Sequence, residues 1–389
     1  MKKIVALVLA VLMLSTMLVA CGKDDEKVIK IGVFEPASGA NGAGGKQETL
    51  GIKYANSVCP TVVINGEEYK VELVYADNQS ADDKAVSAAT ELVSKKVSVV
   101  LGSYGSGVSI AASDTFAQAG IPAIGVTCTN PKVTEGNSHY FRICFLDPFQ
   151  GTVLANYAFN ELEAKTAYTL AESGNEYDQG LVHYFKEAFE AAGGKVVTQD
   201  FVKDTSDFAG YLANAKTEGA DVIFAPTSTQ YAQLIIQQAD AQGVDATLMA
   251  GDTWDSNVIL EAAKGKDVDI QVTTFYQEGG NKEFDEGFKA WIEADKNNLA
   301  ENGGDSKISA VSAMGYDAYF VALEAIKAAA SKDPAKVMEA LWDVNYTGVT
   351  GQIAFGDDKN GDAQRTTAYI KKVNTETALW DFVKEQGVK

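Results

Sequence analysis

The chain has 389 residues, with 33 Lys and Arg against 53 Asp and Glu and a formal charge of −20 at neutral pH. That balance excludes a phosphate-backbone binder, which needs a basic patch, and a face that adheres to an acidic membrane surface. With 46% hydrophobic residues and 7 Pro the composition is that of a folded chain with room for two domains, while 2 His leave little for His-based catalysis or a multi-His metal site; carboxylate and Ser chemistry stay open.

Lys2 and Lys3 precede an apolar and small-residue run from Ile4 to Ala20, the charged start and hydrophobic middle of a secretory signal. A run of that length also sits at the lower limit of a membrane span. It ends in Leu18-Val19-Ala20-Cys21-Gly22, which resembles the bacterial lipobox. The resemblance implies removal of residues 1–20 and lipidation of Cys21 as the mature N-terminus, with residues 21–27 as a polar tether. Loss of Lys2 and Lys3 then leaves 31 basic against 53 acidic side chains. No later segment approaches 18 consecutive apolar residues. Cys59, Cys128 and Cys144 remain, an odd count that leaves at least one unpaired within the chain. A Cys128–Cys144 bridge would close a loop of roughly 15 residues, worth about 3 kcal/mol in the chain-entropy model; buried free thiols are the equal alternative.

Strand and helix patterns then alternate. Val28 to Phe34 is β-branched and apolar, and a Gly-rich turn leads from it into a helix ending near Ser57. Runs 61–64 and 69–75 flank Asn65-Gly66, a hairpin turn. Ala85, Ala88, Ala89, Leu92 and Val93 give helix 82–94 one apolar face, and 97–101 is a wholly apolar strand of the kind buried on both sides of a parallel sheet. Helix 106–119 and strand 121–126 complete an open α/β unit. From Phe149 the rhythm restarts: helix to 162, strand 166–170, helix 177–192, strand 196–201, helix 208–216, strand 221–225, helix 229–241 and strand 247–250. Helices 283–298 and 307–330 and short strands near Ile353 and over 366–373 follow. The fold class is therefore α/β, with two Rossmann-like lobes joined by strand crossings rather than by a Pro-rich or Ser-rich linker.

Several chemical motifs fail on spacing. In Gly39 to Gln47 the first Gly of a phosphate loop is replaced by Ala40, and Gln47 stands where magnesium needs Ser or Thr. Gly105 and Gly107 lack a third Gly, since Ile110 is there, and no Ser elbow surrounds Ser106. His139 and His183 are far apart and read as ordinary surface or packing residues. What stands out is polar sequence at carboxyl ends of strands: Gly102-Ser103-Tyr104-Gly105-Ser106-Gly107, which opens a helix, and Thr127-Cys128-Thr129-Asn130-Pro131. Open α/β sheets bind ligands along that edge, and a helix N-terminus with small residues can hold an anion. Capping of the helix by Ser106 is the alternative.

These segments, with Lys30-Ile31-Gly32-Val33, Ser38-Gly39, Tyr75-Ala76-Asp77, Phe141-Arg142 leading to Asp147 and Gln150-Gly151, Glu176 to Gly180, and Gly315-Tyr316-Asp317-Ala318, resemble the branched-chain amino-acid type of solute-binding protein of ABC transporters, over essentially the whole mature chain. The resemblance implies the type I periplasmic-binding fold, with lobe 1 at 28–147 plus 276–362, lobe 2 at 148–275 plus 363–389, and the ligand in the cleft between them. It places the α-carboxylate of an amino acid on Ser106 and Thr129 with backbone groups of Ser106 and Thr127. It sets Asp252 against the α-ammonium and Tyr177 over the ligand on closure.

Two departures bear on the substrate. The family often has an aromatic near Gly44, and Ser228 stands near a position that is aromatic in some relatives; Tyr104 or Trp254 would refill the pocket, or the ligand is larger than leucine. The implied protein is an exported, lipid-anchored, monomeric receptor that passes its amino acid to a membrane permease, with no cofactor, no metal and no catalysis of its own. A sensory protein of the same fold and a Ser106-dependent amide or ester hydrolase are the alternatives.

Overall fold

The computed structural model describes residues 27–356 and 360–387; the signal run and Cys21 lie outside the described residues. The chain forms β1 (Val28–Glu35), α1 (Gly42–Val58), β2 (Thr61–Ile64), β3 (Glu67–Asp77), α2 (Asp82–Ser94), β4 (Val99–Leu101), α3 (Ser106–Ala119), β5 (Ala123–Gly125) and β6 (Tyr140–Arg142). These strands make one six-stranded sheet in the order β2-β3-β1-β4-β5-β6. All neighbours are parallel except the β2–β3 hairpin at Asn65-Gly66, where Asn65 has φ 52° and Gly66 φ 81°.

The chain then builds a second sheet. α4 (Asp147–Asn160), β7 (Thr166–Glu172), α5 (Glu176–Ala191), β8 (Lys195–Phe201), α6 (Ala209–Thr217), β9 (Val222–Phe224), α7 (Thr229–Ala241), β10 (Thr247–Ala250), α8 (Asn257–Ala263) and β11 (Ile270–Thr274) come in succession. After α9 (Lys282–Ala294), α10 (Lys296–Glu301), α11 (Ala310–Ala329), α12 (Pro334–Leu341) and the hairpin β12 (Asn345–Gly348) and β13 (Gly351–Ala354), the chain returns with β14 (Ala368–Asn374) and β15 (Leu379–Gln386). The seven strands lie in the order β15-β14-β11-β10-β9-β7-β8, with β14 and β15 antiparallel. The short central strands β4, β5, β9 and β11 are buried throughout, as strands covered on both faces must be.

Helices α9 to α12 follow β11 of the second sheet in sequence, yet α11 packs on α1 of the first. Gly51 and Gly315 permit that contact: a Cβ on Gly51 would lie 1.9 Å from the Ser312 carbonyl oxygen, and one on Gly315 2.3 Å from that of Glu48. The Ser312 hydroxyl also donates to the Gln47 carbonyl at 2.8 Å.

The expected Gly-rich turn after β1 is mostly helix. Gly42, Gly44 and Gly45 form the first turn of α1, although Gly inside a helix costs about 0.5–1 kcal/mol. Close packing explains them, since a Cβ on Gly44 would fall 2.3 Å from the Tyr104 ring and one on Gly45 2.3 Å from the Pro36 carbonyl oxygen. The single helix expected over 283–298 breaks at Asp295, whose side chain accepts from the Asn297 amide and so starts α10. The three body cysteines are free thiols, with Cys128 and Cys144 buried, so no Cys128–Cys144 bridge forms.

Candidate functional site

A cavity of about 480 Å³ lies between the two sheets. Its walls come from the segments that leave the carboxyl ends of strands on both sides. Gly39–Asn41 follow β1, Gln79–Asp83 follow β3 and Tyr104–Val108 follow β4. Facing them are Ser173–Asp178 after β7, Lys203 and Asp204 after β8, Ser228, Gln230 and Tyr231 after β9, and Thr253 after β10. This is the edge at which open α/β sheets bind ligands.

On the first wall α3 points its N-terminus into the cavity. Gly105 is the N-cap residue and supplies no side-chain bond, so the first amides of the helix stay available to an anion. Ser106 does not cap the helix. It is the first helical residue, its Oγ accepts from the Asn130 amide at 3.2 Å, and its proton is left to donate. Arg142 organises the loop beneath, donating to the carbonyls of Cys128 and Asn130, to the Thr134 hydroxyl and to Asp362. That loop holds Thr129, whose Oγ1 is buried without a partner of normal geometry. The Thr127 hydroxyl is committed to Glu48.

On the second wall Tyr177 hydroxyl donates to Asp252 Oδ1 at 3.0 Å, and Gln150 Nε2 donates to the same oxygen at 2.9 Å. Asp252 is 1% exposed, and burial pushes its carboxyl up to about 6. Two more carboxyls gather behind it: burial raises Asp147 to about 7 and Glu48 to about 7. Glu35, next to Glu48, is raised strongly by burial and by that neighbour's charge. A buried carboxylate so destabilised is a natural counter-ion for an ammonium, because the cation restores the charged form.

Of the residues expected from sequence, Tyr104, Ser106, Tyr177 and Ser228 line the cavity. Asp252, Thr127 and Thr129 are buried and do not line it; Asp252 reaches it through Tyr177, Thr129 precedes the Asn130 that contacts Ser106, and Thr127 turns its hydroxyl to Glu48. Tyr104 does refill the space left by Gly44, with its hydroxyl donating across to the Thr253 carbonyl at 2.9 Å. Trp254 does not reach the ligand space. It is 0% exposed in the core of the second sheet, and its indole N–H donates to the Thr227 carbonyl at 3.0 Å.

Thr253 and the carboxyls Glu35 and Glu48 were not singled out by sequence. Thr253 sits beside Asp252 on a strand-end turn, which was a usable signal; Glu35 and Glu48 fall on a strand end and a helix with no local mark. His139 and His183 are not on the cavity: His139 lies beside Ser138, and His183 is exposed beside Glu187. Among the described residues, no group of three or more His, Cys, Asp or Glu is arranged to hold a metal ion, and no helix is long and apolar enough to cross a membrane.

The model of a periplasmic binding protein family matches residues 28–378. A Leu/Ile/Val-binding protein homolog from Brucella melitensis is 30% identical over 341 residues, covering 86% of this chain and 87% of that protein. Among solved structures, a leucine-binding protein from Thermotoga maritima superposes with TM-score 0.80 at 30% identity, covering 92% of this chain and 99% of the other. A branched-chain amino-acid transporter substrate-binding protein from Streptococcus pneumoniae, solved with isoleucine, gives TM-score 0.78 at 26% identity, covering 93% and 100%.

Proposed function

Because the chain belongs to the periplasmic binding protein family, we propose that it is the extracytoplasmic solute receptor of an ABC importer and that its solute is an α-amino acid, branched-chain or related. The observation that carries this reading is the pairing across one cavity of the uncapped α3 N-terminus and Ser106 with Tyr177 and the buried Asp252. A zwitterion needs this arrangement: amide and hydroxyl donors for the carboxylate and a carboxylate for the ammonium, with charge-assisted bonds of roughly 1.5–3 kcal/mol each. In this reading Ser106, Thr129 and the backbone of Thr127 hold the carboxylate, Asp252 balances the ammonium, and Tyr177 closes over it.

Residues 28–147 with 276–362 act as one lobe and 148–275 with 363–389 as the other. Their closure is favoured by a ligand that both can touch, and the closed shape is what the permease recognises. Contacts already spanning the two sides, Tyr104 to Thr253 and Thr229 to Ala40, support closure as the bound geometry. Cys21 carries a lipid that retains the monomeric receptor at the membrane; mass spectrometry of the mature N-terminus tests that part. For the solute, a thermal-shift screen of residues 22–389 against the amino acids is the test, since a tight ligand raises stability by mass action. A shift that disappears in Asp252→Ala supports the reading, and no shift with any amino acid refutes it.

A further inference from the structure

We propose that the distal end of the cavity recognises a neutral amide, so that the solute is an amino acid carrying a carboxamide, or a short peptide, rather than an aliphatic amino acid. This rests on the amino-acid reading above and specifies the group beyond the α-carbon. The distal end is built around the start of α7. Ser228 is its N-cap residue and makes no side-chain capping bond, so the first amides of a 13-residue helix lack that partner. Ser228 lines the cavity, is 3% exposed, and its Oγ has no hydrogen-bond partner.

Opposite it stands Asn41. The Thr229 hydroxyl donates to the Ala40 carbonyl at 3.2 Å, which brings the Ala40-Asn41 turn against the start of α7. Asn41 also lines the cavity, its amide donates to Ser80, and its side-chain Oδ1 is buried without a partner. From the two walls of the cavity, the Ser228 hydroxyl and the first amides of α7 therefore offer donors, and Asn41 Oδ1 offers an acceptor. A carboxamide fits both, because its oxygen accepts and its nitrogen donates. An aliphatic group would leave Ser228 and Asn41 unpaired, and sites built from buried polar groups reject analogues that cannot pair them.

A second carboxylate would fit the donors of α7 but not the surrounding charge. Asp82, Asp83, Glu172 and Asp204 line the same cavity against Lys203, while Glu176 is paired to Lys132 at 2.7 Å and burial raises the Asp178 carboxyl well above its ordinary value, so those two add little net charge. Asp82 and Glu176, from opposite walls, already repel each other enough to help burial raise the Asp82 carboxyl. The charge therefore selects a neutral acceptor over an anion.

The test uses near-isosteric pairs by titration calorimetry on residues 22–389: asparagine against leucine, glutamine against methionine and glutamate, and alanyl-alanine as the peptide source of the same amide. The expected result is at least tenfold tighter binding of one amide-bearing member, a ratio equal to about 1.4 kcal/mol. Ser228→Ala and Asn41→Ala should reduce that ratio without lowering the unfolding temperature of the empty protein. A free amide amino acid and a peptide are told apart by which of them binds. Leucine or methionine binding as tightly as its amide partner, or glutamate tighter than glutamine, overturns the proposal and leaves the amino-acid reading standing. A preference for amides unchanged in both variants overturns the assignment to Ser228 and Asn41. Binding of no amino acid or peptide at all overturns both readings together.

Discussion

Replacing Arg142 by Ala tests how the carboxylate wall of the cavity is held. The guanidinium is 0% exposed and spans the loop from Cys128 to Thr134, with Nη1 on the Cys128 and Asn130 carbonyls, Nη2 on Thr134 Oγ1 at 3.1 Å, and Nε and Nη2 on Asp362 Oδ1 at 2.8 and 2.7 Å. Its loss strands two buried carbonyls and removes the cation from the Asp362 carboxylate, which keeps the Thr134 hydroxyl at 3.0 Å. Removing one partner of a buried ion pair costs about 3–5 kcal/mol. Asp362 keeps 12% of its side chain exposed and can recover some hydration, which puts the expectation near about 3 kcal/mol. Urea unfolding of residues 22–389 should show the midpoint falling by that equivalent, with Arg142→Lys between wild type and Ala because it keeps charge but loses the planar fork. Thr129 and the Asn130 amide that positions Ser106 ride on the same loop, so ligand affinity should fall roughly tenfold as well. An unchanged midpoint, or a destabilised protein with unchanged affinity, would refute this account of the loop.

Asp252→Asn should weaken amino-acid binding by one to two orders of magnitude, or about 1.5–3 kcal/mol, without lowering the unfolding midpoint and with a raised midpoint at pH 8, where the buried carboxylate is charged; calorimetry decides. Asp252, Asp147 and Glu48 titrate near 6, 7 and 7, above unfolded carboxyls near about 4. Their neutral forms therefore favour the fold, fully below about 4, and that stabilisation is lost as pH rises through 6 to 7. The empty protein should unfold more easily at pH 8 than at pH 5, whereas affinity for an ammonium ligand should rise over the same interval, and Asp252→Asn should flatten the affinity profile. Gly44→Ala forces a Cβ into the Tyr104 ring and should lower the unfolding temperature and weaken binding, as thermal unfolding and calorimetry would show. In native protein Cys128 and Cys144 should resist thiol reagents, because both are buried and their pKa values are raised, with Cys128 pushed up to about 11, and reductant should leave the unfolding temperature unchanged.

Period and punctuation made most of the fold legible. Helix α2 falls where the spacing of Ala85, Ala88, Ala89 and Leu92 sets it, since an amphipathic stripe reads the same in any tertiary context. The errors arose where distant contacts override local preference. Gly42 to Gly45 look like a loop until Tyr104 and Pro36 claim their missing side chains. Strand β6 is three residues long and β15 alternates without a strongly apolar face, so neither announces itself. At the site, Tyr177 was visible through the family resemblance and Ser106 because strand-end turns mark ligand edges; both line the cavity. Trp254 was misplaced for the same reason: one residue of a three-residue turn faces the cavity and the next faces the core, which position along the chain does not distinguish.

The contact between α1 and α11 also orders the events of folding. Gln47 and Ser312 are 265 residues apart, and α1 has no other partner that accepts Gly51 so closely. During synthesis β1 to β6 can pair as locally as β7 to β10, but one face of α1 should stay uncovered until residues 310–329 have emerged. Closing so long a loop is slow compared with the local pairings. A chain truncated before α11 should expose that apolar face and aggregate, and adding residues 282–341 as a separate segment should suppress the aggregation.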